Sequence, residues 1–254
     1  MLELWKDICS EKDRIYRRVL SGPMGVGKSY LSYFLAARAY AEGWPTLYIS
    51  DAGKLDTNTQ EESTIEVVKR FLAINKDILT AAELEKLVGN YNGGNDISNG
   101  ATSVIFDDLL QQRGRKALLI VDDHWKLFEK VSDLPTKFRS LNPLSSYHWW
   151  GEDSPWSRVI FTGTAHAKYE MTVMDDSYRP TSVLFVGPLS DTVFPKLLDT
   201  YPRLNLPDIK DEVKAITNCV PRELMRLSAF LKYFQDPIST GDLQKFTKVD
   251  QRFF

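Results

Sequence analysis

The stretch that most constrains this 254-residue chain is GPMGVGKS, Gly22 to Ser29, set between an apolar segment and an amphipathic one. It fits G-x-x-x-x-G-K-[ST] without a gap, a pattern that chance supplies in only about 1% of chains of this size at average composition. The flanks narrow it further. Tyr16, Val19 and Leu20 precede the glycines as a strand would, and Leu31, Phe34 and Leu35 follow at helical spacing, with Gly43 as a stop. PTLYIS, from Pro45 to Ser50, then reads as a buried strand, so the chain opens as strand, loop, helix, strand.

Each residue of the loop has a physical task. Gly22, Gly25 and Gly27 permit backbone conformations and a close approach that a Cβ would obstruct. Together with Pro23, Met24 and Val26 they form a turn whose amides converge on an anion at the helix N-terminus, where the helix dipole also favours negative charge. Lys28 offers a point charge to the β- and γ-phosphates of a nucleotide, and Ser29 a hydroxyl to Mg²⁺; Tyr30 completes the expected nucleotide-binding set.

Such a site needs a second half, a hydrophobic strand ending in aspartate. ALLIVDD, Ala117 to Asp123, supplies it about 95 residues downstream. Asp122 is the candidate for the magnesium shell, through water. Asp123 stands where many hydrolytic ATPases carry a glutamate that polarises the attacking water, and it is one methylene shorter. SRVIFTGTA is a further strand, on which Thr162 and Thr164 are the candidates for a γ-phosphate contact.

Elsewhere, TIEVVKRFLAI and TAAELEKLVG carry apolar residues at helical spacing, Tyr91 to Gly100 is turn-rich, and SVIFDDLLQQRGR reads as a helix. Ser132 to Trp156 is irregular, TSVLFVGPLS is another hydrophobic strand, and the pattern after Pro188 is helical. Strands separated by helical patterns predict a mainly parallel sheet with helices on both faces, because parallel connections need crossovers. The expected architecture is α/β: a P-loop NTPase core over residues 1–188, then a small helical lid over 189–254.

Charge and cysteine content exclude several classes. Lys and Arg number 32 against 34 Asp and Glu, a net charge of −2, so the basic surplus that supports non-specific nucleic-acid binding is missing. Cys9 and Cys219 are too few for a disulfide framework or a four-thiolate zinc site, which suits a reducing compartment. His124, His148 and His166 lack ligand spacing with them. No run approaches the roughly 18 apolar residues of a membrane span, and the N-terminal stretch lacks a signal-peptide core. Tyr147, Trp149, Trp150 and Trp156 are read as a folded aromatic loop or partner surface rather than a base-stacking platform.

Taken in order, GPMGVGKS, LLIVDDHW, SRVIFTGTAHA, FVGPLS and TNCVPRELMRL resemble the P-loop NTPase domain of Crinkler-type and retrotransposon-hot-spot-type effector proteins, which belong with the AAA-like and STAND-type ATPases. The resemblance spans about Val19 to Phe234. It implies that Asp122, Asp123 and Trp125 are similar to the DD-x-W ending of those domains' metal strand. It also implies that Pro221 packs on adenine as in their G-x-P element, with Cys219 replacing the usual glycine. Arg222 is then similar to a lid arginine that senses the γ-phosphate, and Thr164 stands where relatives often carry arginine. Full-length Crinkler-type proteins add header and effector domains for which this chain has no room, so an isolated module or a short family member is expected.

The expected function is Mg²⁺-dependent ATP binding and hydrolysis, with nucleotide state driving lid motion or assembly with copies of the chain. The catalytic set is Lys28, Asp123, Thr162 and Arg222. ATP is expected over GTP from the resemblance and because NKDI at Asn75 lacks the residues and position of a guanine-reading N-K-x-D. The alternatives are a nucleotide-gated interaction switch with little turnover and a P-loop small-molecule kinase, which would need an acceptor pocket with paired arginines. Expected partners are ATP, further copies, and an effector domain or protein outside this chain; no membrane and no nucleic acid is expected. The expected location is intracellular, cytoplasmic or nuclear, or secreted into a host cell if a longer form carries a header domain.

Overall fold

Five short strands, most of them apolar runs, build one sheet. The computed structural model describes residues 2–10, 16–55, 60–92, 109, 116–123, 157–163 and 182–250. The strands are β1 (Tyr16–Ser21), β2 (Thr46–Ile49), β3 (Ala117–Val121), β4 (Ser157–Thr162) and β5 (Ser182–Phe185), ordered β2-β3-β4-β1-β5. Every pairing is parallel, with Leu20 opposite Thr162 and Val121 opposite Phe161 in register. The α/β fold class expected from the pattern is the fold observed.

The chain packs as two compact units, Met1–Ser21 with Lys28–Phe185, and Gly22–Gly27 with Val186–Phe254. In the first, helices α1 (Leu2–Cys9), α2 (Lys28–Ala41), α3 (Gln60–Asn75) and α4 (Ala81–Asn92) accompany the sheet. Val19, Leu47, Ile49, Leu119, Val121, Val159 and Phe161 face Val67, Val68 and Phe71 of α3 in one buried cluster. The intervening residues Leu20, Leu118, Ile120 and Ile160 are equally buried, and α2 packs against β2, β3 and β4 through Leu35, Ala36 and Ala39. Burial on both faces is what a parallel sheet demands, since its strands read as apolar runs. Helix α2 stops where Gly43 takes a φ of 74°, a left-handed turn that glycine adopts without a steric penalty.

Three features of this unit are not in the sequence reading. Leu2–Cys9 is a helix that buries Leu4, Trp5 and Ile8. Its terminal carbonyls are gathered by cations: Arg158, fully buried, donates from Nε to Ile8 O at 2.9 Å and from Nη2 to Ser10 O at 2.9 Å, and Lys116 donates to Cys9 O. Asn75, also fully buried, completes the start of β2 by accepting from Thr46 N at 2.8 Å and donating to Thr46 O at 2.7 Å. And β5, expected as a hydrophobic strand, pairs with β1 at the edge of the sheet and leaves Leu184 and Phe185 exposed. Helix α4 also runs through Tyr91 and Asn92, two residues into the expected loop.

The second unit contains α5 (Phe194–Leu198), α6 (Lys210–Thr217), α7 (Pro221–Phe230) and α8 (Thr240–Asp250). Phe194, Leu198, Val213, Leu224, Leu227, Leu243 and Phe246 form its own core. Arg203 holds the turn after α7, donating to Leu231 O, Lys232 O and Phe234 O and pairing with Asp236 at 2.7 Å. Ser239 and Asp242 exchange side-chain and backbone hydrogen bonds at the start of α8, the reciprocal box that satisfies the first-turn amides.

The expected helix at SVIFDDLLQQRGR, apart from Leu109, and the aromatic stretch up to Trp156 lie outside the described residues, as do His124, Trp125, His148, Thr164 and His166. Among the described residues no helix is long and apolar enough to cross a membrane.

Candidate functional site

In the first unit the site is built at the carboxyl ends of β3 and β4 and the first turn of α2. Lys28 and Ser29 open α2, with Ser29 and Tyr30 exposed. The first turn of α2 carries no acidic residue. Its N-terminal amides and dipole are therefore not offset by the helix's own carboxylates, which suits an external anion.

Asp122 follows the last residue of β3 and is only 4% exposed; Thr162, the last residue of β4, is 2% exposed. The Thr162 hydroxyl donates to Asp122 Oδ1. The backbone N–H of Asp123 donates at 3.1 Å to the same Oδ1 and at 3.1 Å to Thr162 Oγ1. This convergence depends on Asp123 turning into the left-handed region, at φ 55°. The backbone of Asp122 is held from the other side, its N–H on Ile49 O at 2.8 Å and its carbonyl accepting from Ala52 N at 3.0 Å. Strand β2 thus fixes the main chain of Asp122 and β4 fixes its carboxylate.

Thr162 has spent its one hydroxyl proton on Asp122, so a phosphate oxygen could take a hydrogen bond from it only by displacing that carboxylate. Tyr48, which the sequence reading passed over, lies in the field of Asp122. Its phenol is pushed up to about 12, by burial first, then by the Asp122 carboxylate and Tyr33, whose ring meets it edge-on at 6.4 Å. Strand periodicity alone marks Tyr48 as inward or outward, and only the β2–β3 pairing brings it beside Asp122.

In the second unit the glycine loop packs with α7. Arg222 N donates to Gly25 O at 3.3 Å, and a methyl group at Gly25 would lie 2.4 Å from Arg222 Cβ. The need for glycine there is a close approach within the protein. At Gly27 the need is different: a methyl group would meet nothing within 4 Å, but φ is 103°, a conformation that other residues reach only under strain. Val26 is buried, while Pro23 and Met24 are exposed.

Pro221 is the first residue of α7, where a missing N–H costs nothing, and Arg222 beside it is exposed. Cys219, where the resembling domains carry glycine, has a φ of 56° and follows Asn218 at 47°. The backbone there is the kind that glycine accommodates, and cysteine is held in it with its side chain buried and Leu189 N donating to its carbonyl at 3.0 Å.

The oxygen donors suit a small hard cation. Asp122 Oδ1 already accepts two hydrogen bonds, Oδ2 accepts none among the described residues, and Ser29 is exposed. Among the described residues no three His, Cys, Asp or Glu side chains cluster as a cation cage. Mg²⁺ bound here would draw its other ligands from nucleotide phosphates and water, as Mg²⁺ commonly does.

No family model matches the chain, and no curated protein matches it in sequence. Among solved structures it is similar to the ORC2 protein of Aeropyrum pernix, solved as ADPNP–ADP complexes, with a TM-score of 0.49 and 13% identity. The likeness covers 92% of this chain, which spans 62% of that protein's chain.

Proposed function

We propose that this chain is a Mg²⁺-dependent ATP-binding and ATP-hydrolysing module of the Crinkler-like kind, in which nucleotide state drives motion of the helical lid or self-assembly. One observation carries the reading: a loop with left-handed Gly25 and Gly27 runs directly into a helix that opens with Lys28 and Ser29 and has no first-turn acid. A buried carboxylate at the end of β3, Asp122, supports it.

In this reading the amides of Gly22 to Gly27 and the Lys28 ammonium hold the phosphate oxygens and stabilise charge as the γ-phosphoryl group departs. Ser29 and Asp122 would hold Mg²⁺, which when bound would neutralise phosphate charge. Asp123 orients the attacking water. Tyr30 and Pro221 border the nucleoside, and Arg222, anchored through its own backbone to Gly25, reports the γ-phosphate to α7. Replacing Lys28 with alanine is expected to weaken ATP binding at least about tenfold, the loss of a charge-assisted phosphate contact; unchanged affinity in a binding titration would remove the phosphate-site assignment.

A second reading, a nucleotide-gated switch with little turnover, is favoured by one feature: the water-orienting position holds the shorter Asp123. Single-turnover phosphate release separates them. Tight ATP binding without release selects the switch.

A further inference from the structure

We infer that Thr162 is a positioning residue that sets which divalent cation the site accepts, by closing one oxygen of Asp122 to metal. The inference rests on the nucleotide-binding reading above and deepens it.

A carboxylate can grip a cation through one oxygen or both. Which it does depends on what else its oxygens accept, and each oxygen has two lone pairs to offer. At Asp122 both lone pairs of Oδ1 are engaged, one by the Thr162 hydroxyl and one by the Asp123 N–H. The two donors are themselves joined, since Asp123 N also donates to Thr162 Oγ1 at 3.1 Å. The arrangement is sealed from solvent, with Asp122 and Thr162 at 4% and 2% exposure, so water does not compete for Oδ1. The main chain beneath it is tied to Ile49 and Ala52, and the two donors on Oδ1 set how the carboxylate is turned. Oδ2 alone is left to a cation or to its bound water.

The consequence is chemical. Mg²⁺ takes six ligands in tight octahedral geometry and keeps several waters, so a carboxylate presenting one oxygen meets its demand. Ca²⁺ takes six to eight and gains from bidentate carboxylates. Holding Oδ1 therefore disfavours Ca²⁺ more than Mg²⁺. Of the two donors, only Thr162 is a side chain, so it is the part of this lock that a substitution can open. It acts through Asp122 and needs no contact with the nucleotide.

The test titrates Mg²⁺ and Ca²⁺ separately against the full chain with a fluorescent ATP analogue, in wild type, Thr162→Val and Thr162→Ser, reading bound nucleotide rather than turnover. Wild type is expected to bind nucleotide with Mg²⁺ preferred. Thr162→Val is expected to lower the Mg²⁺/Ca²⁺ affinity ratio by about tenfold, the usual weight of a residue that orients a metal ligand. Thr162→Ser, which keeps the hydroxyl, should stay within about twofold of wild type. An unchanged ratio in Thr162→Val overturns the inference and leaves the nucleotide site standing. Failure of the wild type to bind nucleotide with either cation overturns both. Should Thr162→Val not fold, Thr162→Ala removes the same hydroxyl without the second branch at Cβ, and the same ratio decides.

Discussion

Single side chains do work in this protein that no motif announces. Asn75 stands in for a strand neighbour, satisfying both backbone groups of Thr46 and donating also to Phe71 O at 2.6 Å, all within the core. Asn75→Ala leaves those groups buried and unpaired, so a loss of about 2–4 kcal/mol is expected in denaturant unfolding. A loss under about 0.5 kcal/mol, the range of ordinary surface changes, would show that water reaches the pair. From sequence, Asn75 attracted notice only as the start of NKDI, a failed guanine motif. Its Thr46 partner lies 29 residues away in the chain, beyond any local pattern. Arg158 is similar: it reads as one charge at the head of an apolar strand, yet its guanidinium holds the end of α1 about 150 residues earlier. Arg158→Met is expected to loosen α1 first, seen as faster amide exchange at Leu4 to Cys9 than in the sheet. Equal protection in both would mean the carbonyls find other donors.

At the scale of elements, local chemistry fixes the helix starts. The helix start at Thr80 is a capping box, with Thr80 N and Oγ1 both donating to Glu83 at 2.6 and 2.8 Å and Glu83 N donating back at 3.3 Å. The box at α8 adds Lys245, whose ammonium lies 2.8 Å from Asp242. Hydrogen bonds from Lys245 and Ser239 hold the Asp242 carboxyl down at about 2. A carboxyl depressed in the folded state stabilises above its unfolded value near 3.9 and stops doing so as pH falls through the folded one. Wild type is thus expected to be more stable than Asp242→Asn at neutral pH, with the difference shrinking between about pH 4 and pH 2. A difference that holds constant across that window would discard the box as a titrating contact. Strands β1 to β4 were equally legible, being apolar runs bounded by turn residues. The element missed outright was α1, whose eight residues carry only three core side chains and whose end is satisfied from the sheet. The exposure of β5 has no local sign, because an apolar run does not tell whether neighbours cover it.

For the whole molecule, the near-zero net charge is compatible with an anion site that relies on amides, one lysine and a metal. Under the proposed function, Mg²⁺–ATP at about 100 times its dissociation constant is expected to stabilise the wild type by about 2.7 kcal/mol, visible as a raised melting temperature. Lys28→Ala should abolish that gain at the same concentration. Stabilisation retained by the variant would mean the ligand binds elsewhere. Size measured on the same samples tells whether nucleotide also drives assembly.

By itself the sequence determined the strand–loop–helix unit, the parallel α/β class and which residues form the glycine loop and the strand ends, because glycine conformation, helix period and apolar runs act over a few residues. Only the tertiary structure decided how those residues are spent. Gly25 is glycine to admit Arg222, Thr162 gives its proton to Asp122, and Asp123 bends left-handed to close the same knot. These contacts join residues 39 to about 200 positions apart, and they arise from sheet order and helix packing, which no local period encodes.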